Sequence, residues 1–280
     1  MNDDIAAHVN TAFAAARMGN YALISQLGEQ QGAQVIPYLA PYLRDADERV
    51  RLQAVALLTT FTDPRAVPLL GLALADSQQD MRRRAALALY ERYDPIQLAA
   101  RPEIGDALRA SVNQGNDAAA AVLLLGYFPG EPTQAALTAL NERVADGQTE
   151  LDSWAPVVPV KLVIAVSQSR LGDQKARLAL LRKSADGTLA EREFLLSVLR
   201  EVDAPEVLHA LAQTLNDTRE VSGDLPAGVS PRRRLCDKAV VAFVRRLELP
   251  INFQISESRR FTPAEIASVR RAIAASLPNS

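Results

Sequence analysis

The chain has 280 residues, 48% of them hydrophobic and 23% charged, with a formal net charge of -2. Those proportions match ordinary folded chains and argue against disorder and against a membrane protein. A charge so close to zero supplies no global field for nucleic acid or anionic lipid. One cysteine, Cys236, excludes an intramolecular disulfide. The opening Met-Asn-Asp-Asp has neither the basic segment nor the apolar core of a signal peptide, so the expected location is the cytoplasm. The longest apolar run, 155–166, is broken by Pro156, Pro159 and Lys161 and is too short to span a bilayer. The only lysines are Lys161, Lys175, Lys183 and Lys238. The bias toward arginine and alanine fits a GC-rich bacterial genome.

Residues 1–32 are expected to form N-terminal capping helices. The chain then repeats itself at an offset of about 31 residues. Pro37, Asp45, Arg51, Ala54 and Leu58 return as Pro68, Asp76, Arg82, Ala85 and Leu89, and Asp63-Pro64 returns as Asp94-Pro95. Such a period marks helix pairs that bury their apolar faces on copies of themselves. Val35, Ile36, Leu39 and Leu43 line one face of a first helix, and Val50, Ala54, Leu57, Leu58 and Phe61 keep helical spacing on a second. Asp45-Ala46-Asp47 is the turn between them. The second unit covers 64–92. Beyond Pro95 the copies weaken, with a third pair expected over 96–112 and 117–127 and a fourth over 133–144 and 154–171. No segment reads as a strand.

Asp173 is placed to cap the next helix, and Thr188 with Glu191 forms a capping box for the one after. A late copy follows: Val207, Leu208, Leu211, Leu215 and Asp217 imitate the first helix and turn, while Leu235, Ala239, Val240, Phe243 and Leu247 imitate the second. Between them lies an insertion, 218–233, carrying Gly223, Pro226, Gly228 and Pro231, a candidate functional loop. Thr262 and Glu265 repeat the capping box and open a C-terminal capping helix over 262–278. The expectation is one all-α domain spanning 1–280, a right-handed α-α superhelix (solenoid) of stacked antiparallel helix pairs with repeats over 33–248.

The proline in the first helix (Pro37, Pro68), the turn aspartate (Asp45, Asp76) and the apolar residue followed by arginine on the second helix (Val50-Arg51, Met81-Arg82) resemble the HEAT repeat family, including short bacterial variants related to phycobilisome lyase repeats. The resemblance implies that Asp45, Arg51, Asp76 and Arg82 form a hydrogen-bonded ladder between repeats and that the second helices line a concave face. Gln53 and Arg84 take matching positions on that face, with Lys238 in register in the late copy. Arginine grips carboxylates and phosphates bidentately, so this ridge would suit an acidic partner. The candidate partner-binding residues are Gln53, Arg83, Arg84 and Lys238, with Asp224, Arg232 and Arg233 from the insertion. Cys236 stands where the late copy's ladder arginine would be, so Asp217 is expected to pair with Arg233 or Arg234.

Little else points to chemistry. His8 and His209 lie near opposite ends, no His/Cys spacing matches a zinc site, and 126–130 lacks the lysine of a phosphate loop. Trp154, the single tryptophan, opens an apolar segment and is read as packing. No catalytic residue, cofactor, metal or small-molecule substrate is expected. The leading function is a non-enzymatic protein-interaction module acting as an adaptor, regulator or immunity-like inhibitor. The alternative is DNA binding or repair, as in DNA glycosylases built from HEAT-like repeats, which the net charge and scarce aromatics disfavour. A chromophore lyase role gains nothing from a single thiol.

Overall fold

The computed structural model describes residues 2–115, 118–152, 155–221 and 233–277. Their named secondary-structure elements are helices apart from one β-hairpin, and the chain divides into two compact units, Met1–Leu140 and Asn141–Ser280. The all-α expectation holds, with that hairpin as its exception.

In the first unit, α1 (Asn2–Arg17) and α2 (Ala22–Gln31) precede two 3-10 turns, Gly32–Tyr38 and Tyr42–Arg44. The first helix of the opening repeat is therefore 3-10 rather than α. Pro37 and Pro41 each lack the N–H that an α-helical ladder needs. There follow α3 (Glu48–Leu58), a 3-10 turn at Pro64–Ala66, α4 (Val67–Ala73), α5 (Gln79–Arg92), α6 (Pro95–Ala99), α7 (Pro102–Asn113), α8 (Ala119–Leu125) and α9 (Glu131–Arg143). The continuous helix expected over 96–112 is split into α6 and α7 at Pro102, for the same reason.

Helix starts follow the sequence signals. Asp47, Asp63 and Asp94 accept from the amides of Arg49, Arg65 and Ile96, each at 2.9 Å. The second helices pack side by side, α3 on α5 and α5 on α8. Val50, Ala54, Leu58, Met81, Ala85 and Leu89 are all buried between them and the first helices, at 1% exposure or less. Burying a side chain of leucine size stabilises by about 1.5–3 kcal/mol, so this stripe holds the row in register. The first helices approach just as closely. A Cβ at Gly71 in α4 would lie 2.8 Å from Ile104 Cδ1 in α7, and one at Gly105 in α7 would lie 2.5 Å from Cδ1 of Phe128, just past α8.

The second unit opens with β1 (Thr149–Asp152) and β2 (Ala155–Pro159), antiparallel with Thr149 opposite Pro159 and Glu150 opposite Val158. This overturns two expectations, that no strand occurs and that a helix starts at Trp154. α10 begins only at Val160 and ends at Arg170. Pro156 and Pro159 both lack the donor a helix interior requires, at a cost of about 3 kcal/mol each, and the chain stays extended until they are passed. Trp154 itself lies outside the described residues.

α11 (Gln174–Asp186), α12 (Leu189–Ser197), α13 (Pro205–Ala212), α14 (Leu235–Leu247) and α15 (Pro263–Ser276) complete the unit. Asp173 caps α11, and the capping boxes at Thr188 and Thr262 are both formed. β2 packs on α12 and α10, and α15 packs on α14.

The segment between α14 and α15 is fastened by Asp237, which is fully buried. Its carboxylate accepts from Arg234 Nη2 at 2.8 Å and from the Arg234 and Phe261 amides at 3.0 Å each. Burial alone would raise the Asp237 pKa, but the guanidinium and the two amides outweigh it and hold the group below the usual carboxylate range. Among the described residues, no helix is long and apolar enough to cross a membrane.

Candidate interaction surface

In the first unit, α3 and α5 are locked to their neighbours by an arginine at the fourth helical position. Arg51 in α3 donates Nε and Nη2 to the Asp76 carboxylate at 2.8 and 3.3 Å, and Nη1 to the Asp45 carbonyl at 2.9 Å. Arg82 in α5 donates to the carbonyls of Asp76, Ser77 and Gln114 at 2.8, 2.9 and 3.2 Å. Arg17 begins the series by pairing with Asp45. Each turn aspartate is also held by an amide two residues on, Asp47 N at 2.9 Å for Asp45 and Gln78 N at 2.8 Å for Asp76. The Asp47 amide is the main reason that the Asp45 pKa falls below its ordinary value, with Arg17 adding to it. The four residues Asp45, Arg51, Asp76 and Arg82 are thus used up in holding repeats together.

The ladder reappears in the second unit. Arg192, fourth in α12, lies 3.4 Å from Asp217. Asp217 takes Arg219 as its closer partner, at 2.5 Å, and neither Arg233 nor Arg234 as expected. Arg219 sits two residues past the aspartate, so the turn closes on itself. The Cys236 amide donates to the Asp217 carbonyl at 2.9 Å, which satisfies an acceptor that a ladder arginine serves in the earlier repeats. Arg233 pairs instead with Glu257 at 3.0 Å, and Arg234 with Asp237.

The other candidate residues separate clearly. Arg84 is exposed and makes no hydrogen bond or ion pair among the described residues, Asp80 included. Gln53 takes the same helical position in α3 and is half-buried. Around them the outer faces of α3 and α5 present Leu52, Ala56 and Leu87, all half-buried. Arg83 is half-buried and engaged internally. Lys238 places Nζ 2.5 Å from Glu193 Oε1, where the side chains are only 20% and 6% exposed. It neutralises a buried carboxylate rather than projecting a free charge. Asp224 and Arg232 lie outside the described residues.

Among the C-terminal arginines, Arg245, Arg259, Arg260 and Arg270 are similarly consumed, while Arg271 is exposed without a partner among the described residues. Arg245 meets Glu257 at 2.5 Å, Arg260 meets Glu220 at 2.6 Å, and Arg270 donates to the Leu215 carbonyl at 2.8 Å. Arg259 pairs with Glu265 and lies over the rings of Phe261 and Phe253 at 5.2 and 5.9 Å. Runs of arginine in a sequence cannot reveal such pairing, because the carboxylates come from distant positions.

Sequence reasoning missed an open groove of about 630 Å³ at the first rung, walled by Pro37, Tyr38, Pro41 and Tyr42. Its polar groups already serve one another. Tyr42 donates its hydroxyl to Asn10 Oδ1 at 2.5 Å and stacks on Phe13 at 3.9 Å, and Arg17 holds Asp45. The histidines remain apart: His8 lies 3.8 Å from Asp4, and His209 Nδ1 lies 2.9 Å from the Pro205 carbonyl. Among the described residues, no group of three or more His, Cys, Asp or Glu side chains is arranged to hold a metal ion.

No curated protein and no solved structure matches the chain. A sequence profile of HEAT repeats matches residues 14–91, beginning inside α1 rather than at Ala33. That start includes Arg17, whose pairing with Asp45 is the first rung. The matched stretch, with its ladder of Arg17, Arg51 and Arg82, belongs to the HEAT repeat family.

Proposed function

We propose that this chain is a protein-interaction module, an adaptor, regulator or inhibitor of the bacterial cytoplasm, that receives its partner on the outer face of α3 and α5. The observation that carries the reading is Arg84. Its neighbours Arg51 and Arg82 are spent on the ladder, whereas Arg84 stands exposed and unpaired between half-buried apolar side chains. A cation framed by apolar surface is the composition of a protein-binding anchor, in which arginine is enriched. The repeat architecture supports the same reading, since stacked helix pairs expose extended faces without needing a catalytic pocket.

DNA binding fits less well. It requires several unneutralised cations along one surface, and of the C-terminal arginines that could supply them Arg245, Arg260, Arg259 and Arg270 are taken by Glu257, Glu220, Glu265 and the Leu215 carbonyl. The test is affinity capture with the wild-type chain and with Arg84→Glu, each checked for folding by circular dichroism. A protein retained by the wild type and lost from the variant is the expected result. Copurification of nucleic acid alone, released steeply by salt, would replace this reading with the DNA-binding one.

A further inference from the structure

The chain contains Asp-Gly twice, as Asp146-Gly147 and Asp186-Gly187, and Asn-Gly nowhere. In such a pair the aspartate carboxyl is open to attack by the next backbone nitrogen, because glycine has no Cβ to crowd that nitrogen. The fold treats the two pairs differently, so each serves as a control for the other.

Asp186 is the last residue of α11, and the Gly187 amide donates to the Lys183 carbonyl at 3.0 Å. A Cβ at Gly187 would lie 2.2 Å from that oxygen and 3.2 Å from Glu191 Oε2. The nitrogen is engaged and its surroundings are full. Asp146 and Gly147 instead stand in the turn between α9 and β1. The Gly147 amide makes no hydrogen bond among the described residues, and a Cβ there would meet nothing within 4 Å. The Asp146 side chain is 95% exposed.

We propose that Asp146-Gly147 is a modification site at which the backbone rearranges spontaneously to an isoaspartyl linkage. The Gly147 nitrogen attacks Cγ of the Asp146 carboxyl in its acid form. A bond forms between nitrogen and Cγ, and the carboxyl hydroxyl leaves with the amide proton as water, closing a cyclic imide. A water molecule then opens the ring. Addition at Cγ breaks the new bond and restores aspartate. Addition at the Asp146 main-chain carbonyl carbon breaks its bond to the Gly147 nitrogen and leaves the chain running through the side chain, with a carboxylate on Cα. No oxidant or cofactor enters.

Lys161 in α10 sets the pace. Its ammonium pairs with the Asp146 carboxylate and holds that group below the usual carboxylate range. An ionised carboxylate has no hydroxyl to lose, so the ion pair slows ring closure. The same turn is tied to the start of α10 by the Gln148 carbonyl, which accepts from the Val160 amide at 3.2 Å. The isoaspartyl linkage adds a methylene to the backbone and moves the carboxylate, which disturbs both ties where the hairpin meets α10. This site is independent of the interaction reading.

The experiment incubates the full chain at neutral pH and physiological temperature, folded and in urea. Tryptic mass spectrometry with electron-transfer fragmentation distinguishes isoaspartate from aspartate and assigns it to its residue. In the folded chain Asp146 is expected to convert at least tenfold faster than Asp186, and in urea the two rates should be similar. Lys161→Gln, checked for folding by circular dichroism, should speed conversion at Asp146 at least twofold and leave Asp186 unchanged. Equal conversion of the two residues in the folded chain, or conversion of Asp146 in urea alone, would overturn the site. Indifference to Lys161→Gln would overturn the role given to the ion pair.

Discussion

The two units use the same second-helix design and finish it differently. In the first, α3 and α5 carry Gln53 and Arg84 two positions past the ladder arginine, half-buried and exposed; in the second, α12, which lies against β2 and α14, carries Phe194 there, 1% exposed. The ladder arginines are common to both, so the connection between repeats is independent of what is done with the outer face. A repeat stack can therefore bury this position in one unit and expose it in another without altering the hydrogen bonds that hold neighbouring repeats together.

The sharpest test of that contrast is a matched pair of truncations. Phe194→Ala should destabilise by about 3–5 kcal/mol, the range for removing a buried aromatic ring. Gln53→Ala at the equivalent position should stay within about 0.5 kcal/mol. Equal effects in urea denaturation would mean that the two positions are not differently buried.

Next in size is Asp237→Asn, which leaves the Arg234 guanidinium without its counter-charge and should cost about 1–3 kcal/mol. Because the folded-state pKa of Asp237 is lowered, its contribution is fully present above the unfolded value near 3.9 and is lost as the pH falls through the folded value. The difference between wild type and Asp237→Asn should therefore narrow below about pH 4. A constant difference down to acid would contradict the pairing.

Arg51→Ala should cost about 1–2 kcal/mol, since it leaves the Asp76 carboxylate, 8% exposed, without its main partner. Thermal unfolding would read the loss, and a neutral result would reduce the ladder to decoration. Smallest of all, Arg84→Glu should change stability by no more than about 0.5 kcal/mol, because the side chain has nothing to lose within the fold. A larger loss would mean that Arg84 is structural, and the candidate surface would lose its anchor.

Much of the helical architecture was legible because its signals are local. Asp63, Asp94, Asp173, Thr188 and Thr262 announce helix starts through short-range hydrogen bonds, and the 31-residue echo from Pro37 to Pro68 places the ladder. The hairpin was missed although Pro156 and Pro159 were in view, because apolar content was given more weight than the absence of two backbone donors. The site was less legible. Lys238 and Arg233 looked like free charges, and their partners Glu193 and Glu257 lie 45 and 24 residues away in sequence, a pairing that only the packed unit brings about. Arg84 and Gln53 were recognisable because the repeat itself marks their position.

The 218–233 insertion is closed at its base by the chain itself. The Val221 amide donates to the Arg233 carbonyl at 3.0 Å, the Leu235 amide donates to the Arg219 carbonyl at 2.9 Å, and Glu220 and Arg234 form an antiparallel bridge. These bonds fix the two ends beside each other before α14 begins, so the span that α13 and α14 must accommodate does not depend on how many residues lie beyond the bridge. The closure cost of a longer excursion grows only logarithmically with its length. The base at Val221 and Arg233 is consequently a graft point, where a reporter peptide or a second binding domain can be spliced in while the helix pair keeps its spacing.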